Sequence, residues 1–184
     1  NIPNGSASGH MIIDIGGGTS EIAVISLGGI VAAESVRIGG TRFDSSISEY
    51  ISRKYNLAIG ERTSEEIKIE LGSAMYSEGP AVLDVRGRDM VSGLPKTITI
   101  SSNDVTEALQ KDLQGIIEAA KEVLQQTPPE LSADVIDKGI IMAGGSSLLR
   151  NIDQLISRAI GVPVYVADDA LLCVAKGTGI ALDN

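Results

Sequence analysis

The chain has 184 residues, of which 43% are apolar, 21% charged and only 3% aromatic. This length and aliphatic content predict one compact domain or two small ones with a substantial core. Its 15 basic and 24 acidic residues give a net charge of -9, which repels phosphate backbones and argues against broad nucleic-acid binding. The single cysteine, Cys173, cannot form an internal disulfide, and with the single histidine, His10, it offers no secure zinc or catalytic pair.

The same sequence indicates a cytosolic protein. No apolar run approaches the roughly 20 residues that span a bilayer, and no cationic leader precedes a short apolar segment. We therefore expect a chain that is neither secreted nor transmembrane, in a reducing compartment. Residues 1–10 are mostly polar or glycine and are predicted to be a linker or leader, with His10 solvated.

The segment from 11 to 55 predicts three strands and a helix. The run 11–15 is apolar except for one carboxylate, Asp14, as in a central buried strand. Glycine-containing turns separate it from strands at 21–26 and 30–38, which predicts an antiparallel meander. Over 41–55 the apolar residues recur with a helical period, which predicts a helix. A Thr41-x-x-Asp44 pattern that resembles a capping box stands at its start.

The middle of the chain predicts a small α/β insertion spanning 56–102. A capping box, Thr63-x-x-Glu66, opens a predicted helix over 63–74. Two alternating segments, 81–85 and 96–101, predict short strands joined by a glycine-containing loop.

The remainder predicts a mixed α/β sheet with crossover helices. A long amphipathic helix is expected over 103–126, ended by Pro128-Pro129. A buried strand at 139–143, a glycine turn, a helix over 146–160, a strand at 162–166 and a last helix from about 169 follow.

Two glycine-rich turns are candidate ligand-binding segments. A carboxylate in an apolar strand, such as Asp14, needs a cation or donors, and a metal-bound water would serve. Consecutive glycines after it let backbone N–H groups converge on an anion, and the hydroxyl of Thr19 can hold a phosphate oxygen or a water. An ordinary hairpin turn is the alternative.

The segment Ala143-Gly144-Gly145-Ser146-Ser147 is a second candidate. It runs from a strand end into a predicted helix, which is where ligands bind in open α/β sheets; a plain turn capped by Ser146 is the alternative.

Glu65 and Lys68 form a third candidate. They stand at i and i+3 on the helix opened by Thr63 and share one face, so together they could reach a ribose and base. A solvated ion pair is the alternative that spacing alone favours.

Several motifs together resemble one known family. The segment 11–24 resembles the second phosphate motif of the actin, sugar kinase and Hsp70 superfamily, and 37–44 narrows it to chaperone-like and bacterial actin branches. The remaining motifs are similar to those of the bacterial cell-shape actins, the MreB family: Thr63-Ser64-Glu65-Glu66-Ile67-Lys68, Arg86-Gly87-Arg88-Asp89, Gly93-Leu94-Pro95, Thr127-Pro128-Pro129-Glu130-Leu131 and Leu148-Leu149-Arg150-Asn151. The resemblance runs from Met11 to the end.

The resemblance implies an α/β, actin-like ATPase fold of the ribonuclease H-like type, present as one lobe with a small insertion. It places subdomain IIA with a C-terminal helix at 11–55 and 103–184, and subdomain IIB at 56–102. It implies ATP and Mg²⁺ as cofactors, with Thr19 as the catalytic residue that positions the attacking water and Asp14 facing the metal through water. The implied nucleotide-binding residues are Asp14, Gly16, Gly17, Gly18, Thr19, Glu65, Lys68, Gly144, Gly145, Ser146, Ser147 and Leu148.

The resemblance also implies the biology. The expected function is an ATP-binding bacterial actin that forms homopolymer filaments and maintains cell shape by organising wall synthesis. The expected location is cytoplasmic, at the inner face of the cell membrane, with the cell-elongation machinery and a membrane adaptor as partners and no nucleic acid. Serines at 146 and 147 depart from the family's glycine and alanine, and this departure leaves the choice between ATP and GTP open.

The sequence shows one phosphate hairpin where the family has two lobes with one each. We therefore expect this chain to be the second lobe, and we expect the membrane contact and the water-activating carboxylate to lie on the other lobe. The chain alone is then expected to hydrolyse ATP negligibly. Half of a sugar or acetate kinase, which shares the hairpin, and a non-enzymatic scaffold are the alternatives.

Overall fold

The structure, a computed structural model, describes residues 7–182 and, in the last helix, side chains only as far as residue 179. Its helices and strands follow in this order: β1 (His10–Ile15), β2 (Ser20–Ser26), β3 (Gly29–Val36), α1 (Gly40–Tyr55), β4 (Leu57–Ala58), α2 (Glu61–Leu71), β5 (Val82–Asp89), β6 (Pro95–Ser101), α3 (Ser102–Gln126), α4 (Pro129–Lys138), β7 (Ile140–Ala143), α5 (Ile152–Ile160), β8 (Val164–Val166) and α6 (Cys173–Leu182), with 3-10 turns at Gly145–Leu148 and Ala170–Leu172.

Backbone proximity divides the chain into two units. The first comprises 1–40, 114–148 and 153–184, and the second comprises 41–113 and 149–152. These boundaries differ from the predicted subdomain limits at 55/56 and 102/103, because α1 and the first half of α3 group with the insertion. The assignment of subdomains IIA and IIB to particular residues stays a prediction.

The first unit contains a five-stranded sheet in the order β3-β2-β1-β7-β8. The β1–β2 and β2–β3 pairs are antiparallel, as the predicted meander requires, while β1–β7 and β7–β8 are parallel. β1 is the middle strand, and Met11, Ile13 and Ile15 on one of its faces are at most 1% exposed. Because β7 and β8 run parallel to β1, the carboxyl ends of all three strands lie at the same edge of the sheet.

The second unit has its own core and sheet. The three-stranded sheet runs in the order β4-β5-β6, and β4 is a strand that the sequence did not predict. Phe43, Ile47 and Ile51 recur on one stripe of α1 and are fully buried, as the helical period predicts.

The start of the fold differs from the prediction. β1 begins at His10, which is half-buried, so the expectation of a solvated His10 is wrong. The amide of Gly9 donates to the Asp134 carboxylate at 2.7 Å, and the Ser26 hydroxyl donates to the Ala7 carbonyl at 3.0 Å. Part of the predicted leader is therefore attached to the first unit, and residues 1–6 lie outside the described residues.

The predictions for α2 and α5 are wrong in part, and α4 was not predicted. α2 begins at Glu61 behind Gly60, with no side-chain cap, so Thr63 lies inside the helix and forms no capping box. α3 ends before the two prolines, as predicted, but Pro129 then opens α4, since proline fits the first turn of a helix. The predicted helix over 146–160 is broken, because Asn151 takes a left-handed φ of 62° and α5 starts only at Ile152.

The start of α3 carries the best-defined polar network of the second unit. The Ser101 amide donates to the Asp104 carboxylate at 2.8 Å and the Asp104 amide donates to the Ser101 hydroxyl at 3.3 Å, which is the reciprocal pair of a capping box. The Ser101 hydroxyl also donates to the Asp104 carboxylate at 2.7 Å. Lys54 adds an ion pair at 2.6 Å. Burial alone would raise the pKa of Asp104, but the hydrogen bonds from Lys54 and Ser101 outweigh it and hold that pKa well below its usual range.

We predict that Asp104→Asn lowers the free energy of unfolding by about 1–3 kcal/mol at neutral pH, the usual contribution of hydrogen bonds to a charged group. A depressed folded-state pKa contributes stability above the unfolded-state pKa, about 3.9, and loses it as the pH falls further. The difference between the two proteins should therefore shrink below about pH 4. Denaturant titrations across pH measure it, with the exposed Glu78→Gln as control; a difference that is constant down to pH 2 would contradict the assignment.

Candidate phosphate-binding site

The loop between β1 and β2 presents unused backbone donors. The Gly16 amide donates to the Thr19 carbonyl at 2.9 Å and closes the loop. Gly17, Gly18 and Thr19 are exposed, and their amides donate to none of the described residues. A run of unpaired N–H groups in a turn is the usual form of an anion-binding concavity.

Packing among the described residues does not explain why positions 17 and 18 are glycine. Neither residue has a positive φ, and a Cβ built on either would meet nothing within 4 Å. By contrast, a Cβ on Gly39 would lie 2.7 Å from the Gly16 carbonyl oxygen, so Gly39 is required by close packing. The open space above Gly17 and Gly18 is what a ligand approaching the backbone needs.

Gly39 and Gly40 were not among the predicted site residues. The Gly40 amide donates to the Gly16 carbonyl at 3.0 Å, and both glycines belong to the first unit, so Gly40 supports the hairpin directly. The signal available in the sequence was the pair of consecutive glycines after β3, which entered the family motif 37–44 but was given no role in the site.

Asp14 lies at the end of β1, beside the loop. Its side chain is half-buried and forms no hydrogen bond or ion pair with the described residues. Burial first, and then the carboxylate of Glu21, raise the pKa of Asp14. Among the described residues no group of three or more His, Cys, Asp or Glu side chains could hold a metal ion. One carboxylate beside a phosphate site fits Mg²⁺, which commonly keeps several waters and takes one or two protein carboxylates.

The second glycine turn lies against the first. Asp14 and Ala143 are partners in the parallel β1–β7 register, so both strands end side by side. Gly144 takes a φ of 84°, and a Cβ there would lie 2.4 Å from Asp14 Oδ1 and 2.3 Å from the Ile15 carbonyl oxygen. Ser146 Oγ donates to the Gly16 carbonyl at 3.1 Å. The structure thus brings the predicted residues of the two turns together.

This turn does not open a long helix, as was predicted. Gly145–Leu148 forms a single 3-10 turn, in which the buried Ser147 hydroxyl donates to the Gly144 carbonyl at 2.7 Å. The side chain of Leu148 is exposed. A helix dipole therefore adds little here, and the β1–β2 loop is the stronger candidate for an anion site at this edge.

Glu65 and Lys68 belong to the second unit, on α2. Glu65 is exposed, whereas the Lys68 ammonium pairs with Asp44, at 2.8 Å from Oδ1 and 3.0 Å from Oδ2. Both side chains of this pair are less than 20% exposed. The predicted capping role of Asp44 is therefore wrong, because Asp44 lies inside α1 and serves as the partner of Lys68. Contact of Glu65 and Lys68 with a nucleoside stays a prediction.

None of the helices in the described part of the chain combines the length and apolar character needed to cross a bilayer.

Solved structures define the class of fold. The structure of MreB5 from Spiroplasma citri bound to ADP matches with a TM-score of 0.94 and 41% identity, covering 98% of this chain and 55% of that one. The same protein bound to AMPPNP matches with a TM-score of 0.93. A MamK double helical filament matches with a TM-score of 0.78 and 22% identity over 95% of this chain and 54% of that one, a likeness of fold. The chain has the actin-like ATPase fold.

Sequence relatives define the family within that class. The family model described as MreB/Mbl protein matches residues 1–184. The cell shape-determining protein Mbl of Bacillus cereus is 53% identical over 96% of this chain and 53% of its own length. The cell shape-determining protein MreB of Escherichia coli is 49% identical over 99% of this chain and 52% of its own length. The chain belongs to the MreB/Mbl family. It spans about half the length of the curated relatives it matches.

We predict that Asp14→Asn raises the stability of the nucleotide-free chain at neutral pH. A raised folded-state pKa means that Asp14 opposes folding once it ionises, so stability is greatest below the unfolded-state pKa of about 3.9 and falls as the pH rises through the folded-state value. Asparagine keeps the shape and removes the charge. Thermal melting from pH 3 to pH 8 measures the gain, which should vanish at the acidic end. The exposed Asp137→Asn is the control, and a variant less stable than wild type at pH 7 would show that Asp14 has a structural partner.

We also predict that Lys68→Met lowers the free energy of unfolding by about 1–3 kcal/mol, because it leaves the carboxylate of Asp44 half-buried without its cation. The control Glu65→Gln, on the same helix, should stay within about 0.5 kcal/mol of wild type. A double-mutant cycle with Asp44→Asn isolates the pair. Strictly additive losses would mean that Lys68 and Asp44 do not interact in solution.

Proposed function

We propose that this protein binds ATP with Mg²⁺ through the β1–β2 loop and that it is a filament-forming, cell shape-determining bacterial actin. The observation that carries the proposal is the exposed loop 17–19 beside the carboxylate of Asp14: the loop amides and this carboxylate have no partner among residues 7–182, and the two glycines leave open space. The likeness to MreB5, solved with ADP and with AMPPNP, supports it at 41% identity.

Each residue of the first unit that we assign to the site has its own chemical role. The Gly17 and Gly18 amides would donate to phosphate oxygens, and the Thr19 hydroxyl would orient the water that attacks the terminal phosphate. Asp14 would hold Mg²⁺ through water, and the ion when bound neutralises charge on the phosphates. The turn that includes Gly144, Gly145, Ser146, Ser147 and Leu148 would border the nucleoside through atoms other than the Ser146 hydroxyl, which donates to the Gly16 carbonyl. No residue of this chain is assigned as the base, so hydrolysis is proposed for the whole protein and negligible turnover for this chain alone.

The cellular part of the proposal rests on the family. The matched relatives are named cell shape-determining proteins, and the fold is shared with a filament of MamK. We propose homopolymer filaments in the cytoplasm, at the inner face of the membrane, that organise cell-wall synthesis. A membrane adaptor and the cell-elongation machinery are the proposed partners.

Membership of the MreB/Mbl family favours this function over the two alternatives, half of a sugar or acetate kinase and a scaffold without turnover. Pelleting of the whole protein with and without ATP, beside a hexose phosphorylation assay, separates the three. Nucleotide-dependent pelleting without phosphorylation supports the proposal, while phosphorylated hexose would establish the kinase.

We predict that Gly17→Ala and Gly18→Ala each weaken MgATP binding by at least about tenfold, or ~1.4 kcal/mol, because a methyl group would occupy the space of a phosphate. Neither change strains the free chain, since a Cβ there meets nothing. Stability should therefore stay equal or rise by up to about 1 kcal/mol.

Gly79→Ala is the matched control, at an exposed glycine of the second unit whose Cβ also meets nothing within 4 Å and whose φ is not positive. Titration calorimetry and thermal melting of the three variants provide the comparison. Unchanged MgATP affinity in both hairpin variants would refute the phosphate site.

A further inference from the structure

The hydroxyl of Ser146 forms a hydrogen bond that constrains the loop between β1 and β2, residues 16–19, which is called the phosphate loop below. Ser146 is half-buried, and its Oγ donates to the Gly16 carbonyl at 3.1 Å. Among the described residues it is the one side chain that hydrogen-bonds to the backbone of loop 16–19. The contact joins positions 130 residues apart in the chain.

The Gly16 carbonyl oxygen has two lone pairs and accepts two hydrogen bonds. Ser146 Oγ supplies one and the Gly40 amide the other, at 3.0 Å. A carbonyl held from two sides cannot rotate without losing a hydrogen bond. Gly39 limits movement further, because its backbone packs so closely against the loop that a Cβ would lie 2.8 Å from the Gly17 carbonyl oxygen.

The Gly16 carbonyl and the Gly17 amide belong to one planar peptide unit. In a trans peptide the C=O and the following N–H point in opposite directions, so fixing the first fixes the second. The N–H of Gly17 is one of the unpaired donors of the loop. Glycines give the loop wide rotational freedom, and an outside constraint on this peptide therefore has a large effect.

We propose that Ser146 is a positioning residue for the phosphate loop: by holding the Gly16 carbonyl, its hydroxyl orients the Gly17 amide toward a phosphate oxygen. The inference rests on the proposed nucleotide function and deepens it. Ser146 acts on the phosphate end of the ligand through Gly16, and a direct contact of its hydroxyl with the nucleoside is the competing role. Pre-ordering a donor lowers the entropy lost on binding, so removal of the hydroxyl weakens phosphate binding.

The test uses the 184-residue chain, with Ser146→Ala to remove the hydroxyl and Ser146→Thr to restore one. Ser132→Ala is the control, because Ser132 is also half-buried in the first unit and donates to a backbone carbonyl, that of Thr127. NMR titration with Mg-pyrophosphate, MgADP and adenosine separates the phosphate end from the nucleoside end. Relaxation of the Gly17 amide in the ligand-free chain reports the ordering itself.

Ser146→Ala should weaken Mg-pyrophosphate and MgADP binding by one common factor of about 2 to 10, the range for one neutral hydrogen bond, and leave adenosine affinity unchanged. The order parameter of the Gly17 amide should fall in Ser146→Ala and recover in Ser146→Thr. Equal ligand affinities in wild type and Ser146→Ala, or a parallel loss of adenosine affinity, would overturn the inference.

A wild-type chain that binds none of the three ligands would contradict the proposed function instead. In that case the Gly17 order parameter still decides the positioning role: a value unchanged by Ser146→Ala overturns it.

Discussion

The parallel pairing of β1 with β7 is the constraint on which the candidate site depends. Because Asp14 and Ala143 are register partners, the two strands end together, and the loops that follow them share one edge of the sheet. The close approach of Gly144 to Asp14 and Ile15 is possible only without a side chain and with a positive φ. The site edge is therefore fixed by strand register and by glycine, and not by a cluster of polar side chains.

This edge holds polar groups that the described part of the chain leaves without hydrogen-bond partners. The loop amides of Gly17, Gly18 and Thr19 have no partner among the described residues, and burial raises the pKa of Asp14. Donors and a carboxylate placed together attract a phosphate group with its cation, which satisfies both. The polar groups of the second unit behave differently, since Asp104 and Asp44 each have a lysine partner. These two carboxylates are thus satisfied within the described residues, whereas the groups at the edge are the ones that we propose to bind a ligand.

The elements that follow local patterns could be predicted from the sequence. The meander, the hairpin after Asp14, the long α3 and the buried β7 each carry a clear hydrophobic period or glycine turn. The resemblance of the motifs to bacterial actins predicted the fold class, and the family and structure matches confirm it.

Several of the failures share a cause, which is that distant partners override local signals. Residues 146–160 have the composition of one helix, but Arg150 forms a backbone β-bridge with Ser73 and its side chain donates to the carbonyls of Gly72 and Glu70, which holds 149–151 out of helical geometry. Lys68 is a neighbour of Glu65 in sequence, yet Asp44 of another helix is its ion-pair partner. The Ser146 hydrogen bond to Gly16 likewise has no local signature. Long-range contacts of this kind need the fold before they can be inferred.

The most direct measurement is a crystal structure of the 184-residue chain with Mg²⁺ and a non-hydrolysable ATP analogue. The account predicts phosphate oxygens within about 3 Å of the Gly17 and Gly18 amide nitrogens, with the metal's water shell facing the Asp14 carboxylate. A nucleotide whose phosphates lie away from the β1–β2 loop would contradict it.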